Sequence, residues 1–290
     1  MLRLSDLPFR RQELALVAIT MFWGGTFPII HYALTLCGPF FFVGCRFILA
    51  ALLLGFCFRK ALREAAPHDV FAGCVIGVVA FLGYFLQTYG LQTISSSRSA
   101  FLTALYVPLV PIMQWLFLRR PPTFMNWIGV LCAFAGLLLM AGPGNAGGSF
   151  GRGEAATLCG AVVFAGEIIA IGFFAGRVQL QCVTFVQLLT AGVLSLLLML
   201  VTGEPAPADH LDLALALAAG LGLATAVIQL TMNWAQRSVS PTRATLIYAS
   251  EPVWGGFFGR LTGDRLPLPA LIGAACIVTG VLVSEWKRKK

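Results

Sequence analysis

Ten stretches of the chain are each long and apolar enough to cross a bilayer, and no other feature of the sequence restricts its fold so severely. They fall at about 13–32, 39–58, 70–91, 98–118, 124–141, 154–176, 182–202, 211–236, 241–260 and 267–286, with polar, proline or glycine clusters between them. A spanning helix needs about 20 mostly apolar residues, so ten of them use about 200 positions and leave connections and tails. The runs exceed strand length and lack polar alternation, and only helices or closed barrels satisfy their backbone in hydrocarbon. The expected fold is an all-α integral membrane protein with ten transmembrane helices. With 58% hydrophobic and 11% charged residues in 290, too little polar surface exists to wet a soluble fold.

The basic residues assign an orientation, because lysine and arginine accumulate in cytoplasmic loops. With the N-terminus inside, the inner segments hold Arg3, Arg10, Arg11, Arg59, Lys60, Arg63, Arg119, Arg120, Arg177, Arg237, Arg243 and Lys287 to Lys290, fifteen of the twenty. The outer segments hold four, Arg98, Arg152, Arg260 and Arg265, and Arg46 lies within a span. Both termini are therefore expected in the cytoplasm, with residues 1–12 as a retained segment ahead of the first span and 287–290 as a basic tail. The tail supplies half of the net charge of +8, and lipid headgroups rather than nucleic acid are its expected counter-ion. The eight cysteines are never closer than eight positions, which excludes C-x-x-C metal or redox motifs and leaves them as small core side chains.

A shift of 144 positions superimposes the ends of the two halves without a gap. It pairs Leu86 with Leu230, Gln92 with Gln236, Ser96 with Ser240, Ala100 with Ala244, Leu102 with Leu246 and Pro108 with Pro252. It also pairs Ile128 with Ile272, Gly129 with Gly273, Cys132 with Cys276, Gly136 with Gly280 and Leu138 with Leu282. Each half then carries five spans, an odd number, so the second half enters the membrane upside down relative to the first. That is the inverted-topology repeat of secondary transporters, whose substrate sites lie near the midplane between repeats. The expected organisation is a first repeat at 13–141, a glycine-rich linker at 142–153 and a second repeat at 154–286.

The chain resembles the EamA-type proteins of the drug/metabolite transporter superfamily over almost its whole length. The resemblance rests on Phe22-Trp23-Gly24-Gly25-Thr26-Phe27-Pro28, on Phe42 to Ala51 with its Arg46, and on Ala100 to Pro111 followed by Trp115-Leu116-Phe117-Leu118. Glu251-Pro252-Val253-Trp254 and Gly263-Asp264-Arg265-Leu266 carry it in the second half. The Gly-Glu that the family commonly has after spans four and nine is here Arg119-Arg120 and then Gly263-Asp264. The resemblance implies efflux or exchange of small metabolites, with amino-acid exporters, including aromatic ones, among the members.

Three ionisable residues fall within spans, where an uncompensated charge is costly: Arg46, Glu167 and Glu251. Glu167 and Arg46 are candidates for coupling or charge pairing, and Glu251 for a substrate amine. Pro252 removes a backbone donor beside Glu251, and Pro108 occupies the equivalent place in the first half, so both are expected helix bends. Helical spacing puts Tyr248 with Glu251, Tyr84 with Gln87, and Gln229 with Asn233 on shared faces. With Trp23 they form a candidate substrate-binding set of aromatic walls and few polar anchors. Gly73 with Gly77, Gly172 with Gly176 and Gly255 with Gly259 are small-xxx-small packing surfaces.

Enzymatic motifs are missing: there is no P-loop lysine, no H-E-x-x-H and no aspartate cluster within a span. Gly142, Gly144 and Gly147 spell G-x-G-x-x-G, but no strand precedes them, and no cofactor or metal is expected. No ATPase is evident, so movement must follow a gradient. These readings predict a secondary transporter in a bacterial-type inner membrane that exports or exchanges small amphipathic metabolites, amino acids first, with protons as a candidate coupling ion. A lipid-scrambling or structural membrane protein is the rival from another class, and a drug, purine or sugar exporter the rival within the family.

Overall fold

The computed structural model describes residues 11–94, 99, 102–146, 151–207, 209–251, 253–254 and 268–284, and all regular structure among them is helical. The helices are α1 (Arg11–Gly24), α2 (Thr26–Ala33), α3 (Pro39–Cys57), α4 (Arg59–Arg63), α5 (Pro67–Leu91) and α6 (Tyr106–Leu118). They continue with α7 (Phe124–Ala146), α8 (Arg152–Phe174), α9 (Leu180–Thr202), α10 (Leu211–Ala235), α11 (Pro241–Tyr248) and α12 (Leu268–Ser284). Six helices have the length and apolar content to cross a membrane, with α1 and α2 counted together, and shorter apolar helices lie in α6, α7 and α12. Of the expected spans, the ninth holds among its described residues only the eight-residue α11 and the short piece at Glu251, Val253 and Trp254.

Local chemistry explains the boundaries. Proline opens α3, α5 and α11 at a position whose N–H has no partner within the helix. Asp69 accepts the N–H of Ala66 at the start of α5, Glu154 accepts that of Gly151 at the start of α8, and Ser240 Oγ accepts from Arg243 N–H in α11. Helix α9 ends at Gly203 in the left-handed region, φ 69°. The turn places Glu204 against the start of α3, where its carboxylate accepts the N–H groups of Phe40 and Phe41 at 3.1 and 2.7 Å. A carboxylate there meets the positive end of the helix dipole.

Three boundaries differ from the sequence reading. The first span breaks at Gly25, between α1 and α2, and Thr26 Oγ1 closes the break by donating to Trp23 O at 2.8 Å. Helix α7 runs to Ala146, so the glycine-rich stretch expected as linker begins inside a helix. Gly176 is a left-handed turn residue with open space around it, not half of a packing pair with Gly172. The expected bend at Pro108 lies just before it: the chain turns at Ala104 and Leu105, and Pro108 sits in the first turn of α6, where a missing N–H costs nothing. In the other half the turn is at Ala249 and Ser250. Pro252, Gly255, Gly259 and the tail 287–290 lie outside the described residues.

Helices α5 and α10 have bounds that differ by 144 at both ends. Helix α3 packs on α9 and α10, and α5 packs on α9 and α8. Between α7 and α12 the contact is reciprocal: a Cβ on Gly136 would strike Gly273 O, and one on Gly280 would strike Gly129 O. Two backbones can approach this closely only where side chains are absent.

Polarity is inverted relative to a soluble protein. Phe56, Phe71, Trp115, Leu116, Leu200 and Val201 face outward, while Gln187, Gln229, Thr225 and Glu167 are buried. A hydrocarbon exterior makes that distribution favourable.

Candidate functional site

Helix α10 presents Thr225, Gln229 and Asn233 at intervals of four residues, so all three point into the bundle along one face. Gln229 is completely buried. Its Nε2 donates to Glu167 Oε1 of α8 at 3.0 Å and reaches Tyr84 Oη of α5 at 3.4 Å. Gln187 of α9 donates to the same Glu167 oxygen at 3.3 Å and to Gln229 Oε1 at 2.9 Å. One turn further, Asn233 Nδ2 donates to Gln187 Oε1 at 2.9 Å and to Thr184 Oγ1 at 3.2 Å. Glu167 is thereby held between two amide donors from two helices.

One turn in the other direction along α10, Thr225 Oγ1 donates to Leu221 O at 2.7 Å and accepts from Arg46 Nε of α3 at 2.6 Å. The Arg46 guanidinium also lies 5.4 Å from the Tyr84 ring centre and 6.0 Å from that of Phe47. Among the described residues no carboxylate is within ion-pair distance of it.

A second group surrounds the turn after α11. Trp23 of α1 meets Tyr248 edge to face, with ring centres 5.7 Å apart. Tyr248 and Glu251 are buried, and among the described residues Glu251 Oε1 has no hydrogen-bond partner. Tyr106 of α6 is also buried. An unmade hydrogen bond on a buried polar group costs about 1–3 kcal/mol. A ligand that brings a donor to Glu251 Oε1 therefore gains more there than at a group already satisfied.

Helix α11 is held on two sides. Arg243 pairs with buried Glu13 of α1 at 2.6 Å, and Gln114 Oε1 of α6 accepts both the N–H and the hydroxyl of Thr242 at 3.0 Å. Thr20 and Ser250 hydroxyls meet at 3.3 Å. The segment bearing Tyr248 and Glu251 therefore joins elements from both halves of the chain.

Of the sequence candidates, Tyr84, Gln229, Asn233, Glu167 and Arg46 come together around α10, whereas Trp23, Tyr248 and Glu251 form the adjacent group. Gln87, expected to share a function with Tyr84, instead donates to Thr103 Oγ1 at 3.1 Å. Thr225, Gln187, Thr184, Tyr106 and the Glu13–Arg243 pair were not anticipated. Continuing the Gln229–Asn233 spacing back by four residues points to Thr225, and Thr184 and Gln187 form the same kind of polar pair within an otherwise apolar span. Among the described residues no group of three or more His, Cys, Asp or Glu side chains could hold a metal.

The chain belongs to the EamA-like transporter family, which matches residues 11–142 and again residues 151–286. It is a multi-pass membrane protein of a transporter family. An uncharacterized transporter of Archaeoglobus fulgidus is 28% identical over 93% of this chain and 84% of its own length. The uncharacterized inner membrane transporter YedA of Escherichia coli K12 is 25% identical over 93% and 89%, and the uncharacterized transporter YoaV of Bacillus subtilis 22% over 94% and 96%. A protein solved by crystallography has the same fold, with a TM-score of 0.75 at 19% identity over 94% of this chain and 96% of the other.

Proposed function

We propose that the protein is a secondary transporter exporting small amphipathic metabolites, amino acids with bulky apolar side chains first among them, across an inner membrane by alternating access. Its ten spans are arranged as two inverted five-helix repeats, with both termini in the cytoplasm and a short linker between the halves. The two separate family matches, the offset of 144 between α5 and α10, and the reciprocal glycine contacts of α7 and α12 support the repeat.

The observation that carries the transport site is buried Glu251, whose Oε1 has no partner among the described residues, three positions after the Tyr248 that packs on Trp23. A substrate ammonium supplies the missing donor, and the aromatic walls take the apolar side chain. Glu167, held by Gln187 and Gln229, is the candidate proton carrier. Reconstitution into liposomes with a panel of amino acids, purines and sugars tests the proposal. Counterflow of bulky apolar amino acids is expected; transport of none of the panel with rapid lipid scrambling favours the scramblase reading.

A further inference from the structure

Arg46 is more fully buried than its bonding explains. A guanidinium stays charged in proteins and carries five N–H donors, one on Nε and four at its forked end. Among the described residues only the Nε donor finds an acceptor, Thr225 Oγ1. Thr225 spends its own hydrogen on Leu221 O, so its lone pairs face the arginine and fix its direction. The rings of Tyr84 and Phe47 offset part of the charge. The forked end takes no acceptor from the described residues. The carboxylate candidate Glu167 accepts from Gln187 and Gln229 through Oε1, and among the described residues it forms no ion pair with Arg46. Arg46 is 2% exposed and packs inside the bundle against α10, which excludes a headgroup as its partner.

We propose that Arg46 is the anion-holding group of the transport site and that the substrate presents a carboxylate to its free fork. The inference deepens the transporter reading and rests on it: two parallel N–H donors at fixed spacing match the two oxygens of a carboxylate, a geometry that lysine cannot offer. Thr225 is the positioning residue, because it holds the guanidinium through Nε and leaves the fork open.

The test uses the full chain in lipid-free detergent for thermal melting and in liposomes for counterflow. Matched probes separate the groups: amino acids, the amines formed from them by decarboxylation, and the corresponding acids without the amine. Amino acids are expected to raise the melting temperature of the parent most, and amine-free acids and decarboxylated amines, each lacking one of the two charged groups, less. Arg46→Gln should weaken carboxylate-bearing probes about tenfold or more, with Arg46→Lys between it and the parent. Decarboxylated amines binding as well as amino acids overturns the inference, as does parental affinity in Arg46→Gln or a panel in which no carboxylate binds. An Arg46→Gln/Glu167→Gln double variant that recovers what Arg46→Gln loses makes the arginine a counter-ion for Glu167 and also overturns it. Counterflow of carboxylate-bearing solutes that survives Arg46→Gln at parental affinity leaves the transporter reading standing and removes only the anion site.

Discussion

Glu167 and Glu251 are the same side chain in the same kind of buried surroundings, one in the middle of α8 and the other just past α11. Glu167 receives N–H groups from Gln187 and Gln229, which in turn engage Tyr84 and Asn233. Glu251 Oε1 receives nothing from the described residues. Burial alone therefore does not distinguish a structural carboxylate from one that awaits a ligand; the supply of donors does. A saturated network rigidifies the helices that make it, and an orphaned group costs stability that only a bound partner returns.

The largest expected difference comes from removing Glu251. Glu251→Leu should abolish saturable counterflow, because a hydrogen bond to a charged group is worth roughly 1.5–3 kcal/mol, or about tenfold to a hundredfold in affinity. The same change should cost the fold less than loss of a network donor does, since Glu251 Oε1 has no partner among the described residues to lose. Unaltered counterflow in this variant would break the contrast.

Gln229→Leu acts in the opposite sense. It strips Glu167 and Tyr84 of a donor and leaves Gln187 Oε1 as the amide acceptor in the network, so the folded state should lose about 2–3 kcal/mol. A melt as stable as the parent's would show that the network is not structural. Glu167→Gln is milder, about 1 kcal/mol, because the amide still accepts from its neighbours. Counterflow should persist in it while the pH dependence of net transport disappears. The smallest effect is expected at Trp23: Trp23→Phe should keep the edge-on contact with Tyr248, whereas Trp23→Ala loses about 0.5–1.5 kcal/mol of aromatic pairing and weakens bulky substrates more than small ones.

Much of this was legible in the residues themselves. Apolar runs and basic loops define a multi-span helical protein because the bilayer accepts few other solutions. The pair Gln229–Asn233 follows from helical spacing, whereas a turn at Ala249 and Ser250 separates Tyr248 from Glu251. Other features depend on contacts between distant segments. The destination of Gln87 was decided by Thr103 after a bend, and Glu13 reads as an ordinary first-turn acid until Arg243 is placed beside it. Gln187 lay in a run whose apolar content overwhelmed a single amide. The difference between Glu167 Oε1, which receives two donors, and Glu251 Oε1, which receives none from the described residues, is tertiary in origin, because the donors of Glu167 come from α9 and α10.

The most direct measurement is counterflow of a bulky apolar amino acid by the parent, Glu167→Gln and Glu251→Gln, reconstituted at equal density. The account predicts counterflow retained in Glu167→Gln and lost in Glu251→Gln. Counterflow lost in Glu167→Gln and retained in Glu251→Gln would contradict it and move the binding site to the network around α10.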